Sequence, residues 1–165
     1  MTMNLNFPVA LEAADDGGFV VTFPDVPEAI TQGEDEDEAL LRAVDALETA
    51  LEMYADAGEA LPVPGKADGG QRLVHPTTQV AIKLAVYQAM QEEGVRKAEL
   101  ARRLGWHMPQ VDRLLDFRHA GKLAAAESAL SALGRDIHVD VVKIPTAASR
   151  QKRRSRSSRR DKAAV

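Results

Sequence analysis

The sequence predicts an α+β fold: a small sheet carrying one helix, then a mainly helical module that closes on a strand. Three observations point there. Short segments of alternating polarity crowd the first third of the chain, and apolar residues recur every three or four positions from about residue 35 onward. The composition, 45% hydrophobic and 28% charged over 165 residues, is that of a folded globular protein.

The elements follow in order. Leu5, Phe7, Val9 and Leu11 alternate with Asn6, Pro8, Ala10 and Glu12, the period of a half-buried strand. Pro8 has no N–H for a ladder, which predicts a sheet edge or a bulge. "DDGG" is a turn, and Phe19, Val21 and Phe23 share one face of a second strand. "PDVP" interrupts the pattern, and "EAITQ" reads as a short third strand. A helix begins near Asp35, with Leu40, Val44, Leu47, Leu51 and Tyr54 as its buried stripe. "GEALPVPGKADGG" ends it, and "QRLVH" is a short fourth strand. This first module spans residues 1–75.

The second module, residues 76–144, reads as four helices. "TTQVAIKLAVYQAMQEEG" starts at a Thr77 or Thr78 cap and stops at Gly94. "RKAELARRLG" ends at Gly105. "PQVDRLLDFRHAG" has Pro109 suited to a first helical position and Gly121 at its end. "KLAAAESALSAL" stops at Gly134. "DIHVDVVKI" then alternates, with Ile137, Val139 and Val141 on one face of a terminal strand. A lone strand needs a partner, and the same strand in a second chain would supply one, so a homodimer or higher homo-oligomer is expected. Residues 145–165 are basic, of low complexity and nearly devoid of large apolar groups. Such a tail cannot repay the entropy of ordering and is expected to be disordered.

Composition excludes several classes. With no cysteine there is no disulfide, thiolate metal site or cysteine nucleophile. The N-terminus lacks the basic and apolar regions of a signal peptide, and no apolar run approaches the roughly 18 residues of a membrane span. A soluble cytoplasmic protein without membrane contact is expected. The net charge of −4 hides a division. Residues 1–74 hold 3 basic and 16 acidic side chains, and residues 75–165 hold 18 basic and 9 acidic. That asymmetry predicts a basic partner for the front and nucleic acid for the back. The tail from residue 145 contributes 8 of the basic residues, so the folded part of the second half is only mildly positive.

"AELARRLGWHMPQVDRLL" carries the strongest functional signal. A short helix burying Leu100, Ala101 and Leu104 turns at Gly105 into a second helix burying Val111, Leu114 and Leu115. A helix-turn-helix of this kind lays its second helix in the major groove of operator double-stranded DNA. Gln110 and Arg113 lie opposite the buried positions, and these residue types read adenine and guanine. Arg113 has an alternative, a salt bridge to Asp112 or Asp116. His107 and Met108 sit at the turn, within reach of DNA, although Met108 also suits covering the core. Arg96, Lys97, Arg102 and Arg103 are candidate phosphate contacts, or plain solvated surface. Trp106 reads as core packing beneath the turn, and His119 as a residue at a helix C-terminus, where the dipole favours it.

These residues also carry a resemblance. The stretch from "VAIKLAVYQAM" through "QVDRLLDFRHAGKL" to "ALSALGRDI" resembles the C-terminal helix-turn-helix domain of HicB antitoxins. "DDGGFVVTFPDVPEAITQGEDEDEALLRAVDALETALEMY" is independently similar to the HicB N-terminal domain. The two cover about residues 3 to 144 in the family's order. The chain departs from the pattern at Glu28 and Ala29, where the family often has a glycine and a small residue, and in its basic tail. The resemblance implies a partial RNase H-like fold joined to a DNA-binding domain. It implies neutralisation of a small basic RNA-cleaving HicA toxin by the front half and repression of the shared operon by the back half. It also implies dimers or larger assemblies. An acidic face suits the steering of a basic ribonuclease.

In "GEDEDEAL", Asp35 can cap the helix and Glu38 can close a capping box. Glu34, Glu36 and Asp37 exceed that local need; with Asp25 and Glu28 they are the candidate toxin contacts. A stand-alone regulator whose front domain binds some other partner is the alternative. Catalysis is not expected. Asp15, Asp16, Asp25 and Glu28 show no convergence of the kind a metal-dependent nuclease needs, and the four histidines have no metal-ligand spacing. No cofactor or metal is expected.

Overall fold

The computed structural model describes residues 2–144; the expected tail, 145–165, lies outside the described residues. Three strands come first: β1 (Phe7–Ala13), β2 (Phe19–Thr22) and β3 (Ile30–Gly33). The long helix α1 (Glu36–Asp56) and the short β4 (Arg72–Val74) complete the first half. Then come α2 (Thr78–Glu93), α3 (Lys97–Leu104), α4 (Met108–Leu115) and α5 (Leu123–Ala132).

The strands form one antiparallel sheet in the order β3-β2-β1-β4. This places β1 inside the sheet, where its proline predicted an edge or a bulge. The register explains how Pro8 is tolerated. β2 pairs with residues Ala10 to Ala13 and β4 with Phe7 to Val9, so the two neighbours flank different halves of β1. Pro8 therefore sits where β1 has a strand on one side only, and its missing N–H interrupts no second ladder.

Alternation along the strands places Phe7, Val9, Val21 and Phe23 on one face, fully or almost fully buried. α1 covers that face with Leu47 and Leu51, and small Ala39, Ala43 and Ala50 let it approach the sheet closely. Leu40, Val44 and Tyr54 of the predicted stripe are only partly buried at its flanks. Each fully buried aliphatic or aromatic side chain contributes about 1.5–3 kcal/mol relative to exposure. At Gly33 the end of β3 runs against the first turn of α1 so closely that a Cβ would overlap its backbone.

α2 belongs to two cores. Val80 and Leu84 complete the sheet-and-helix cluster, while Val86, Ala89 and Met90 join Leu100, Val111, Leu114, Ala129 and Leu130 in a second. A boundary at residue 75 therefore leaves two buried side chains of the first core on the far side.

Three local expectations are corrected. Thr77 occupies the N-cap of α2 but makes no side-chain cap; its backbone N–H donates instead to Glu48 Oε1 at 2.6 Å. α4 ends at Leu115 rather than running to Gly121, because the chain turns extended at Asp116 and packs Phe117 against the first core. The expected terminal strand does not form within the single chain: residues 135–144 are irregular. Ile137 packs on the second core, but Val139 and Val141 are 72% and 94% exposed. Among the described residues no strand edge of the same chain pairs with this segment, and without a ladder an extended segment has nothing to define it.

Candidate functional site

The pair α3 and α4 is built by its apolar residues. Leu100 and Ala101 of α3 meet Val111 and Leu114 of α4, with Leu104, Trp106 and Leu115 partly buried around them. Trp106 packs, partly buried, on the second core, in keeping with its reading as core packing beneath the turn. The turn works because Gly105 takes φ +64°, a left-handed conformation that closes α3, and the Trp106 N–H donates to Ala101 O at 2.9 Å. His107 is the N-cap of α4, and Pro109 follows in its first turn, where a missing N–H costs nothing.

The polar side of α4 is solvent-facing: His107, Met108, Gln110, Asp112 and Arg113 are all exposed, Met108 by 42%. Gln110 Oε1 accepts from the His107 backbone N–H at 2.8 Å, so the residue read as an adenine contact also caps the helix. Arg113 pairs with neither Asp112 nor Asp116. Its Nε donates to His119 Nε2 at 2.7 Å, which uses one of the five N–H donors of the guanidinium. His119 lies beyond α4, and so is not the helix-terminal residue its sequence position suggested.

The candidate phosphate contacts divide. Arg96 is exposed at the N-cap of α3. Lys97 pairs with Asp112 at 2.7 Å. Arg102 and Arg103 both grip Glu99, at 2.7 and 2.9 Å, and Arg103 also reaches Ala132 O. These are exposed pairs of small individual worth, readily exchanged for another anion. The two arginines, Arg102 foremost, hold the Glu99 carboxyl down to about 2. Because that value is depressed below 4.5, the stabilisation is complete above pH 4.5 and fades as pH falls toward 2. Glu99→Gln is expected to lower stability slightly across the neutral region, where the pairs are intact, and to flatten the acid limb in that window, so that the two stability–pH profiles converge toward pH 2.

Sequence reasoning missed Lys83. In "VAIKLAV" it is the one charge in an apolar run, and that was its only signal. It is 3% exposed, and its Nζ donates to Asp116 O at the C-terminal end of α4, where the helix dipole welcomes a cation. Burial pushes its pKa below the ordinary lysine value, while the Asp116 carboxylate pulls the other way.

The acidic candidates do not form one patch. Asp35 caps α1, accepting from Glu38 N–H at 2.8 Å. The reciprocal arm is displaced by one residue: Glu38 accepts from Glu34 N–H at 2.7 Å, not from the Asp35 amide, and also binds Arg42. Glu36 lies 3.6 Å from Arg72. Asp25 accepts from Gly65 N–H at 2.8 Å and so ties the loop before β4 to the turn after β2. Glu28 accepts from the Tyr54 hydroxyl at 3.0 Å, which raises the pKa of the phenol. Glu28 lines a recess with Ile30, Asp45 and Met53 on the open side of β3, whereas Glu34 lines another with Asp16, Gln32 and Arg42. Asp37 is exposed in the first turn of α1. Among the described residues, no three histidine, aspartate or glutamate side chains converge as metal ligands. Nor, among them, is any helix long and apolar enough to cross a membrane.

Fold and surface together define a two-part chain: an acidic antiparallel sheet under one helix, joined through α2 to a small helical unit with an exposed polar helix face. Comparison with known proteins places it. The family described as HicB-like antitoxin of bacterial toxin–antitoxin systems matches residues 6–85. Antitoxin HicB 1 of Photorhabdus laumondii is 38% identical over 138 residues, 84% of this chain and 88% of that protein. Antitoxin HicB of Escherichia coli K12 is 36% identical over 138 residues, 84% of this chain and all of that protein. Antitoxin HicB of Pseudomonas fluorescens is 39% identical over 146 residues, 86% of this chain and 98% of that protein. The chain belongs to the HicB-like antitoxin family.

Proposed function

We propose that the chain binds and neutralises a small RNA-cleaving toxin of HicA type, and represses its own operon by binding operator DNA. The acidic front half takes the toxin; α3, Gly105 and α4 act as a helix-turn-helix on DNA, with α4 in the major groove. The observation that carries this reading is similarity to proteins named antitoxins along both halves, 84% or more of the chain. The division of charge supports it, since an excess of 13 negative charges in the first 74 residues attracts a basic protein and repels nucleic acid.

The division of labour follows residues 1–75 and 76–144, although the first core needs Val80 and Leu84 from α2. The sheet with α1 is read as a partial RNase H-like fold with no catalytic role, acting in the cytoplasm. Glu34, Glu36 and Asp37 steer the toxin, and Asp25 and Glu28 shape the surface it meets. Arg113, His107 and Met108 face base edges, Gln110 does so beside its capping bond, and Arg96, Lys97 and Arg103 serve phosphates. A second copy covers the exposed Val139, Val141, Val142 and Ile144.

Growth tests the reading. Induction of a small basic protein encoded next to this gene is expected to arrest cells, and co-expression of the full chain to restore growth. Arrest that persists beside soluble, folded chain would exclude the antitoxin role.

A further inference from the structure

We propose that His119 is a positioning residue for Arg113, held in place by α2 and the sheet-and-α1 core rather than by the helix that carries Arg113. The inference rests on the DNA-binding reading above. The bond itself is short and directional: Arg113 Nε donates to His119 Nε2 at 2.7 Å. What makes it more than a surface contact is the anchoring of the segment on which His119 sits. That segment, residues 116–119, follows α4 without helical continuity and is attached at four points.

Asp116 O accepts from the buried Lys83 of α2. Phe117 packs among the residues of the sheet-and-α1 core. Arg118 Nε stands 3.5 Å from Glu52 of α1, and Gln79 Nε2 donates to His119 O at 3.4 Å. The exposed ion pair contributes little alone; Lys83 and Phe117 provide the fixed attachment.

An arginine on an exposed helix face must give up rotamer freedom to grip a base edge. One already held by a neighbour gives up less, so pre-orientation appears as affinity and selectivity. The bond occupies Nε and leaves the rest of the five-donor fork to recognition.

The test uses the purified full chain, overlapping duplexes from the region upstream of its own gene, and a random duplex of equal length. Arg113→Ala is expected to cut the preference for the best upstream duplex about tenfold. His119→Ala should cut it roughly three- to tenfold while random-duplex binding and the unfolding midpoint stay unchanged. The double variant should lose no more than Arg113→Ala alone, because the two side chains act as one unit. His119→Gln, whose amide oxygen can accept from Nε, should keep most of the preference, and decides the matter if His119→Ala proves unstable. Full preference in His119→Ala beside a loss in Arg113→Ala overturns the inference and spares the DNA-binding reading. So do losses that multiply in the double variant. A native chain with no preference for any upstream duplex overturns both.

Discussion

Gly33→Ala is expected to destabilise the chain by about 4 kcal/mol, roughly 10 °C in the unfolding midpoint. A Cβ at this position would stand 2.3 Å from Ala39 N, 2.7 Å from Ala39 Cα and 2.9 Å from Glu38 C. All three are backbone atoms of the first turn of α1, so no side-chain rotamer relieves the overlap. β3 and α1 must separate, and the separation spreads to the pairing of Gly33 with Phe19 and to the capped turn Asp35–Glu38. Gly69 has no heavy atom within 4 Å of the same added carbon, so Gly69→Ala is the control and should unfold with the native chain. Thermal or urea unfolding of the two variants checks this; a Gly33→Ala midpoint equal to the control would refute the packing described at α1.

Arg113→Ala should weaken binding to upstream DNA by about 1–3 kcal/mol, roughly fivefold to 160-fold, and leave toxin neutralisation intact. The side chain is exposed, and its hydrogen-bond partner His119 is itself half-exposed, so its removal opens no cavity. A loss confined to the preferred duplex marks Arg113 as a base reader; an equal loss on random DNA marks a phosphate contact instead. Loss of toxin neutralisation in the folded variant would mean that the two roles are not separated along the chain as proposed. Titration of the variant on both duplexes, beside the growth assay, decides among these.

The fold was legible where a single period governed a segment. Alternation at Phe7 and Val9, and again at Phe19 and Val21, was enough to place strands, and the three-four spacing through Leu47 and Leu51 was enough to place α1. Legibility failed where the deciding contact was distant in sequence. Nothing local to "LLDFRHAG" says that Phe117 will leave the helix for a core made by α1 and the sheet, so the helix was drawn too long. Pro8 was legible only in part: its chemistry argued for an edge or a bulge, and it has a strand on one side only because β2 and β4 flank different halves of β1. "DIHVDVVKI" has a strand's alternation but, among the described residues of its own chain, no strand to pair with. Periodicity announces a preference, and a ladder needs a partner.

The candidate site was half legible. The exposed face of α4 followed from the burial of Val111 and Leu114, and Asp35 capped as its position promised. The partners of the charged groups did not follow, because ion pairs such as Lys97 with Asp112 are set by how helices pack. His119 beneath Arg113 and Lys83 beneath the end of α4 belong to the same class. Asp25 and Glu28 show the converse: acids read as interaction surface are tied to Gly65 and Tyr54 of their own chain.

The proposed antitoxin role requires that the chain silence a ribonuclease by binding it. The most direct measurement is RNA cleavage by the purified product of the adjacent gene, followed while the purified full chain is titrated in. Cleavage is expected to fall to background near one chain per toxin, and the two proteins are expected to co-elute. Undiminished cleavage in an excess of folded chain would contradict that role.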